Sequence, residues 1–244
     1  PATSSATNPY SILVTAGVYD ENVSIQKDGI SLVGVGWPTI SVDSGDAITV
    51  SSDVSTRPTV CSLVGLRIAV SEAGASCVRV TGGAGSTIGS DRILLKDLEL
   101  QPSGAGSRSL RASTVGNIVA EGGDWSLEAT TYVELEQCAK GSLKGIQRLS
   151  AVSVSHTDQS AVSATVAVGY SIQECGEVGD VLINLTGESS ASISGCPSVG
   201  DVTFGGDRAF KINGCGIGDL TVNNTAACQL NATSHGDFSG DGTL

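Results

Sequence analysis

The sequence predicts an all-β solenoid, a parallel β-helix of about ten coils that takes up the whole chain. Three observations carry this. An internal repeat recurs every 18 to 21 residues. The repeats hold only short alternating runs and no helical period. The composition favours small side chains, with 32 Gly but only two Trp, four Tyr and three Phe in 244 residues.

The repeat is clearest between residues 130 and 240. Ile172 and Cys175, Ile193 and Cys196, and Ile212 and Cys215 are each followed by Gly-Asp and an apolar residue. The Gly-Asp pairs fall at 179/180, 200/201, 218/219 and 236/237, so the spacing is 21, 18 and 18. A degenerate copy runs through Gln229-Leu230-Asn231, and another is read at Glu134-Leu135-Glu136-Gln137-Cys138. Runs such as Val181-Leu182-Ile183 and Asp219-Leu220-Thr221-Val222 read as strands of three to five residues with Gly, Asn or Ser at the corners. Stacked at roughly 4.8 Å per turn, about ten turns make a rod about 50 Å long.

That architecture accounts for the composition. A narrow interior accepts Val, Ile, Leu, Ala and Cys in columns, one per turn. Large aromatics do not repeat comfortably there. Gly suits corners with positive φ, and Asn or Asp bond locally to the backbone. The length is ordinary for one all-β domain, so residues 1–244 are read as a single unit, with 1–45 as N-terminal capping coils.

The bulk numbers exclude other classes. Thirteen basic and 25 acidic residues give a net charge of −12, which opposes a phosphate-backbone binder. The longest apolar runs span a few residues, such as Ile93-Leu94-Leu95, so no membrane insertion is expected. The start, Pro1-Ala2-Thr3-Ser4-Ser5, carries no secretory signature. Its lack of Met fits initiator removal or a trimmed chain. Seven Cys without a CxxC pair read as reduced, buried thiols of a protein folded in a cytosol. The glycosylation sequons at Asn22, Asn184, Asn223 and Asn231 read as chance in a Ser/Thr-rich chain.

The N-terminal portion carries a more specific pattern. Residues Asn8-Pro9-Tyr10-Ser11-Ile12-Leu13-Val14-Thr15-Ala16-Gly17-Val18-Tyr19-Asp20-Glu21-Asn22-Val23-Ser24-Ile25 precede Ile30-Ser31-Leu32-Val33-Gly34-Val35-Gly36-Trp37-Pro38-Thr39-Ile40. Here Ile12 and Val14 are expected to point inward, Gly17 to turn the chain, and Val23 and Ile25 to form the next wall. This stretch resembles the opening coils of pectin-esterase-like right-handed, single-stranded parallel β-helices. The same opening is widespread in bacteriophage virion proteins and bacterial surface proteins. The resemblance covers about 35 residues and speaks for fold, not activity.

In esterases of that fold the resemblance implies a nucleophilic Asp in G-x-V-D-F-x-F-G, a second Asp, Gln side chains for the oxyanion and an orienting Arg. The nearest segment is Gly200-Asp201-Val202-Thr203-Phe204-Gly205-Gly206, with Thr203 at the nucleophile position. A hydroxyl without a base is a poor nucleophile. The other motifs are missing, and His156 and His235 are expected on the solvated surface. Two carboxylate pairs deserve weighing, Asp97 with Glu99 and Glu134 with Glu136. At i and i+2 of a strand they share a face about 7 Å apart, near an inverting-glycosidase spacing. The simpler expectation is Leu inward and charge outward.

Two columns complete the reading. Asp180, Asp201, Asp219 and Asp237 are expected to stack at one corner, compensated by backbone N–H groups or a cation. An Asx-type corner is favoured over a Ca²⁺ ladder. Cys138, Cys175, Cys196 and Cys215 are expected as inward apolar filler, neither zinc-bound nor bridged.

Taken together, the expectation is a non-enzymatic structural protein of a bacteriophage virion, assembled in the host cytoplasm. It would be a capsid decoration or protrusion, or a short tail spike or fibre component. Catalytic, cofactor and metal residues are expected to be none. Expected partners are two further copies in a homotrimer, other capsid or tail proteins, and a host surface glycan, with no nucleic acid. The competing readings are a carbohydrate-active β-helix enzyme (lyase, esterase or glycosidase) and a secreted bacterial adhesin. The fold is checked by circular dichroism. An all-β spectrum with almost no helical signal is expected, and a strong helical spectrum would refute the assignment.

Overall fold

Strict alternation of apolar and polar residues makes these segments strands. In Val181–Leu185, for example, Val181, Ile183 and Leu185 are buried while Leu182 and Asn184 face outward. The computed structural model describes residues 8–51, 60–82, 92–125, 132–136, 138, 140–156, 168–186, 189–206, 209–224, 228–231 and 233–240. Among these residues the chain forms 26 strands and no helix. Every strand pairing is parallel.

The strands sort into two long sheets and a small one. Sheet I has 13 strands, sheet II has 10 and sheet III has 3. The chain visits sheet I, then sheet II, and returns to sheet I one place further along. Tyr10–Thr15 pairs with Ile30–Val35 in sheet I, and Val23–Ile25 pairs with Ile48–Ser51 in sheet II. This order continues to Cys228–Asn231 and Phe238–Gly240. In chain order Val18–Tyr19, Thr39–Val42 and Arg67–Val70 fall between strands of the two long sheets, and they belong to sheet I through the long strand Arg92–Pro102. Further along, Arg148–Leu149, Glu177–Val178 and Ser198–Val199 form sheet III.

The core is a set of stacked columns. In sheet I, Ile12, Leu32, Leu63, Leu95, Ala120, Leu143, Ile172, Ile193, Ile212 and Leu230 are successive partners. In sheet II, Val23, Ile48, Val78, Leu110, Val133, Val152, Val181, Val202, Leu220 and Phe238 do the same. Residues of both columns belong to one buried cluster. Each fully buried aliphatic side chain contributes about 1.5–3 kcal/mol.

In sheet I, Tyr170 and Phe210 enter this core beside small neighbours, whereas Phe204 in sheet II lies between Ile183 and Val222. Tyr170 pairs in register with Gly141 and Ala191, and Phe210 pairs with Ala191. A Cβ on Gly141 would lie 2.8 Å from Leu135 Cδ1 and 3.0 Å from Tyr170 Cδ1. The Tyr170 hydroxyl donates to the Cys138 carbonyl at 2.5 Å, which satisfies its one buried polar atom. Phe210 stacks on Phe204 of sheet II at a centroid distance of 3.7 Å.

Two residues after the sheet I column, the backbone turns through the left-handed region. Gly65, Gly122, Gly145, Gly195 and Gly214 do so with φ between 60° and 67°. Asp97 (φ 50°) and Glu174 (φ 53°) hold the same position. The corner N–H groups bond to the next repeat: Gly145 donates to Gln173, Glu174 to Ser194, Gly195 to Asn213 and Gly214 to Asn231. Asp tolerates this conformation through local hydrogen bonding, whereas Glu carries the full steric cost.

The register corrects three expectations. The segment Glu134-Leu135-Glu136 lies in sheet II, so it is not a copy of the Ile172 repeat. The true partner of Ile172 is Leu143, and Ile146 holds the place that Cys175 fills one repeat later. Cys138 therefore stands outside the column of Cys175, Cys196 and Cys215. Ile12 keeps its register above Leu32 but is 48% exposed, because no described strand covers that end of the column.

Two substitutions test this packing by urea unfolding. Ile193→Ala empties a site flanked by Ile172 and Ile212 and is expected to cost about 2–5 kcal/mol. Glu174→Gly removes the left-handed strain and is expected to stabilise by about 1 kcal/mol. The exposed Glu174–Lys144 ion pair it sacrifices spans 3.5 Å and contributes little. Loss of stability in Glu174→Gly would contradict the corner assignment.

Candidate binding groove

One depression on the described surface follows from the corner geometry. Close stacking of corners requires bare backbone. A Cβ on Gly34 would lie 2.0 Å from the Gly65 carbonyl oxygen, and one on Gly123 would lie 2.0 Å from that of Leu98. Gly34, Gly65, Gly123 and Gly145 thus line a groove of about 740 Å³. Trp37, Asp97, Glu99, Asp124 and Gln147 supply its side chains. A second depression of about 400 Å³ shares Glu99 and Asp124 and adds Gln101, Ser103 and Arg148.

The acidic residues here are tied in place. Glu99 is in register with Arg67 on one side and Asp124 on the other. Two carboxylates one strand spacing apart repel, and each is clamped from outside the pair. Arg67 reaches Glu99 through Nε and Nη2, both at 2.8 Å. Arg148 Nε lies 2.9 and 3.0 Å from the two Asp124 oxygens, and Asp124 holds the guanidinium more firmly charged. Gln101 also donates to Glu99. The result is a line of charges, Arg67, Glu99, Asp124, Arg148, across four repeats.

Trp37 is the odd member. It follows Gly36 (φ 77°) and itself has φ 58°. A bulky residue in the left-handed region is a rare outlier. Its side chain is half exposed at the groove, whereas Trp125 is fully buried.

Both carboxylate pairs weighed from the sequence point outward. Asp97 and Glu99 flank the buried Leu98 and line the same groove, and the left-handed turn at Asp97 also leaves Lys96 exposed beside it. Glu134 and Glu136 alternate outward. Glu134 is held by Arg108 Nε at 2.7 Å and Arg111 Nε at 3.1 Å. Thr203 lies on an outward position between Leu182 and Thr221. His235 is exposed, with Nδ1 2.8 Å from the Gly236 carbonyl oxygen. His156 ends the strand Ala151–His156, and its side chain lies outside the described residues.

The Asp column is a backbone ladder. Asp180 Oδ1 accepts the Asp201 N–H at 3.0 Å, Asp201 Oδ1 that of Asp219 at 2.8 Å, and Asp219 Oδ1 that of Asp237 at 2.9 Å. Each charge is thus compensated by the next repeat's donor. Among the described residues no group of three or more His, Cys, Asp or Glu is arranged for a metal ion. Two sequon amides are also engaged: Asn22 donates to the Ser44 and Asp46 carbonyls, and Asn231 donates to Asn213.

All seven cysteines are buried, and none forms a disulfide. Cys175, Cys196 and Cys215 each donate to the backbone carbonyl two residues before them. Comparison of the chain with protein-family models, curated proteins and solved structures finds no match. No helix among the described residues is long and apolar enough to cross a membrane.

Burial of the thiols sets a pH dependence. Desolvation pushes Cys61 and Cys77 from 9.0 up to about 12. The unfolded chain ionises them first. The stability they contribute is fully present below about pH 9 and is lost as pH rises toward about 12. Urea midpoints across this window should fall with pH, and the Cys61→Ala/Cys77→Ala variant should fall less steeply. An identical slope in that variant contradicts the account.

Proposed function

We propose that the chain is a right-handed, single-stranded parallel β-helix of about ten coils. In this reading it is a non-enzymatic structural element of a bacteriophage virion. It serves as a capsid decoration or protrusion, or as a short tail spike or fibre component. The observation that carries the rod reading is the in-register column from Ile12 to Leu230, with the chain alternating between two long parallel sheets. At roughly 4.8 Å per coil this gives a stiff spacer about 50 Å long.

The non-enzymatic reading is supported by how carboxylates are used. Glu99, Asp124 and Glu134 are held by arginines, and the Asp column accepts backbone N–H groups. A general acid or base needs a group poised to exchange its proton. The virion location rests on the N-terminal segment resembling the opening coils found in such particles. A trimer is favoured by the exposed apolar residues Leu13 and Val18 near one end, which association would cover.

Light scattering on the purified chain should give three times 24.5 kDa, and a monomer at all concentrations removes the trimer. Peptide mass spectrometry of purified particles from phage carrying the gene tests the location. Stoichiometric recovery of the chain supports the virion reading, and its absence from those particles contradicts it.

A further inference from the structure

We propose that the thiols of Cys175, Cys196 and Cys215 bind a soft monovalent cation of the Cu(I) class, held between neighbouring sulfurs of successive repeats. The site is independent of where the rod serves and of what its surface meets.

The placement comes first. The cysteines stand two residues after Gln173, Ser194 and Asn213, which are partners in register. They therefore fall at one corner of three successive repeats, and all are buried. Ile146 holds the same place one repeat earlier, two residues after Lys144. Thr233 holds it one repeat later, two residues after Asn231. The Cys196 thiol is hydrogen-bonded to both Cys175 and Cys215. The three sulfurs thus form one continuous chain inside the stack.

Packing alone does not account for that chain. Ile146 fills the corner as a buried aliphatic residue, so the space asks for no sulfur. The thiols are not needed as backbone donors either. The carbonyls they touch, those of Gln173, Ser194 and Asn213, already accept the N–H groups of Gly145, Glu174 and Gly195.

The surroundings instead favour thiolate. Backbone hydrogen bonds from Ile146, Gln173 and Gly145 stabilise it at Cys175, one from Cys175 does so at Cys196, and those of Cys196 and Gly195 do so at Cys215. Gly145 and Gly195 are left-handed, and such corners turn successive N–H groups toward an anion. Through the bond between them, Cys175 is held below the usual thiol value and Cys196 above it. Cys175 is therefore the first sulfur to give up its proton.

Coordination number selects the metal. Sulfurs at one place in consecutive parallel repeats lie in a line about 4.8 Å apart, so they pair and do not converge. Among the described residues no three or more His, Cys, Asp or Glu gather for a metal ion, which leaves out tetrahedral zinc and four-cysteine clusters. Two metal–sulfur bonds of about 2.3 Å placed end to end span about 4.6 Å. Rotation of the thiols opens their hydrogen-bonded contact to that span. A cation satisfied by two thiolates in line fits there, and soft thiolate ligands select Cu(I). Two thiols and one Cu(I) give a bis-thiolate of charge −1 and release two protons. A second Cu(I) between Cys196 and Cys215 displaces the third proton, and the charge stays at −1. The backbone hydrogen bonds offset that buried charge. The bound cation ties neighbouring repeats into one register.

The test uses the full chain, reduced with a phosphine, kept free of oxygen and titrated with Cu(I) against the chelator bicinchoninate. One or two equivalents should pass from the chelator to the protein, with the β spectrum kept and the thermal midpoint raised. X-ray absorption should show two sulfur neighbours per copper. Cys196→Ser removes the shared ligand and should abolish this capture, and Cys196→Val replaces it if the serine variant loses the β spectrum. Cys175→Ser and Cys215→Ser each leave one neighbouring pair, and neither should exceed one equivalent. The Cys61→Ala/Cys77→Ala variant should capture as much as the parent chain. No capture by the parent chain overturns the proposal, as does undiminished capture by the folded Cys196 variant. So do three or more sulfur neighbours, Zn(II) held as firmly as Cu(I), or loss of the β spectrum on binding. Each of these results removes the metal site and leaves the rod and its proposed function to their own tests.

Discussion

Each inward side chain sits directly against its counterpart in the next repeat, one strand spacing of about 4.8 Å away, and the rest of the structure answers to that stacking. Aliphatic residues of similar size satisfy it without adjustment, as in Ile172, Ile193 and Ile212. In sheet I large rings meet small neighbours, Tyr170 pairing with Gly141 and Phe210 with Ala191, whereas in sheet II Phe204 is accommodated between Ile183 and Val222. On the outside, the same spacing turns every repeated charge into a repulsion. Two devices resolve it. Asp180, Asp201 and Asp219 each accept the next repeat's N–H, and Glu99 and Asp124 are each clamped by an arginine on the far side.

Much of this was legible in the sequence. The Ile and Cys positions and the Gly-Asp pairs of the last repeats give the strand register directly, because the Ser171, Ser192 and Lys211 segments align as they pair. The Asp ladder and its backbone compensation were readable from the spacing. The reading slipped where loop lengths change between strands. The spacing between successive described strands widens before Tyr132 and before Val168, so a motif match at Glu134 aligned a sheet II strand with a sheet I column.

The groove was not legible for a different reason. Gly34, Trp37, Gly65, Asp97, Asp124 and Gln147 come from five successive repeats and carry no shared motif. Only the stacking brings them to one surface. The break at Asp97 was equally hidden, since a strand pattern gives no sign of a single left-handed residue within an otherwise continuous run. Positive φ at Glu174 and Trp37 marks two kinds of exception. Glu174 holds a place that glycine fills in neighbouring repeats, whereas Trp37 places a ring beside a groove.

The central claim is in-register stacking, and methyl NMR on a sample labelled at isoleucine δ1 positions tests it most directly. With Ile172, Ile193 and Ile212 assigned by single Ile→Val variants, cross-peaks are predicted for Ile172–Ile193 and Ile193–Ile212, with none of comparable strength for Ile172–Ile212. Absence of the two neighbour cross-peaks, or a dominant Ile172–Ile212 peak, would contradict the stacked register on which the fold and the groove depend.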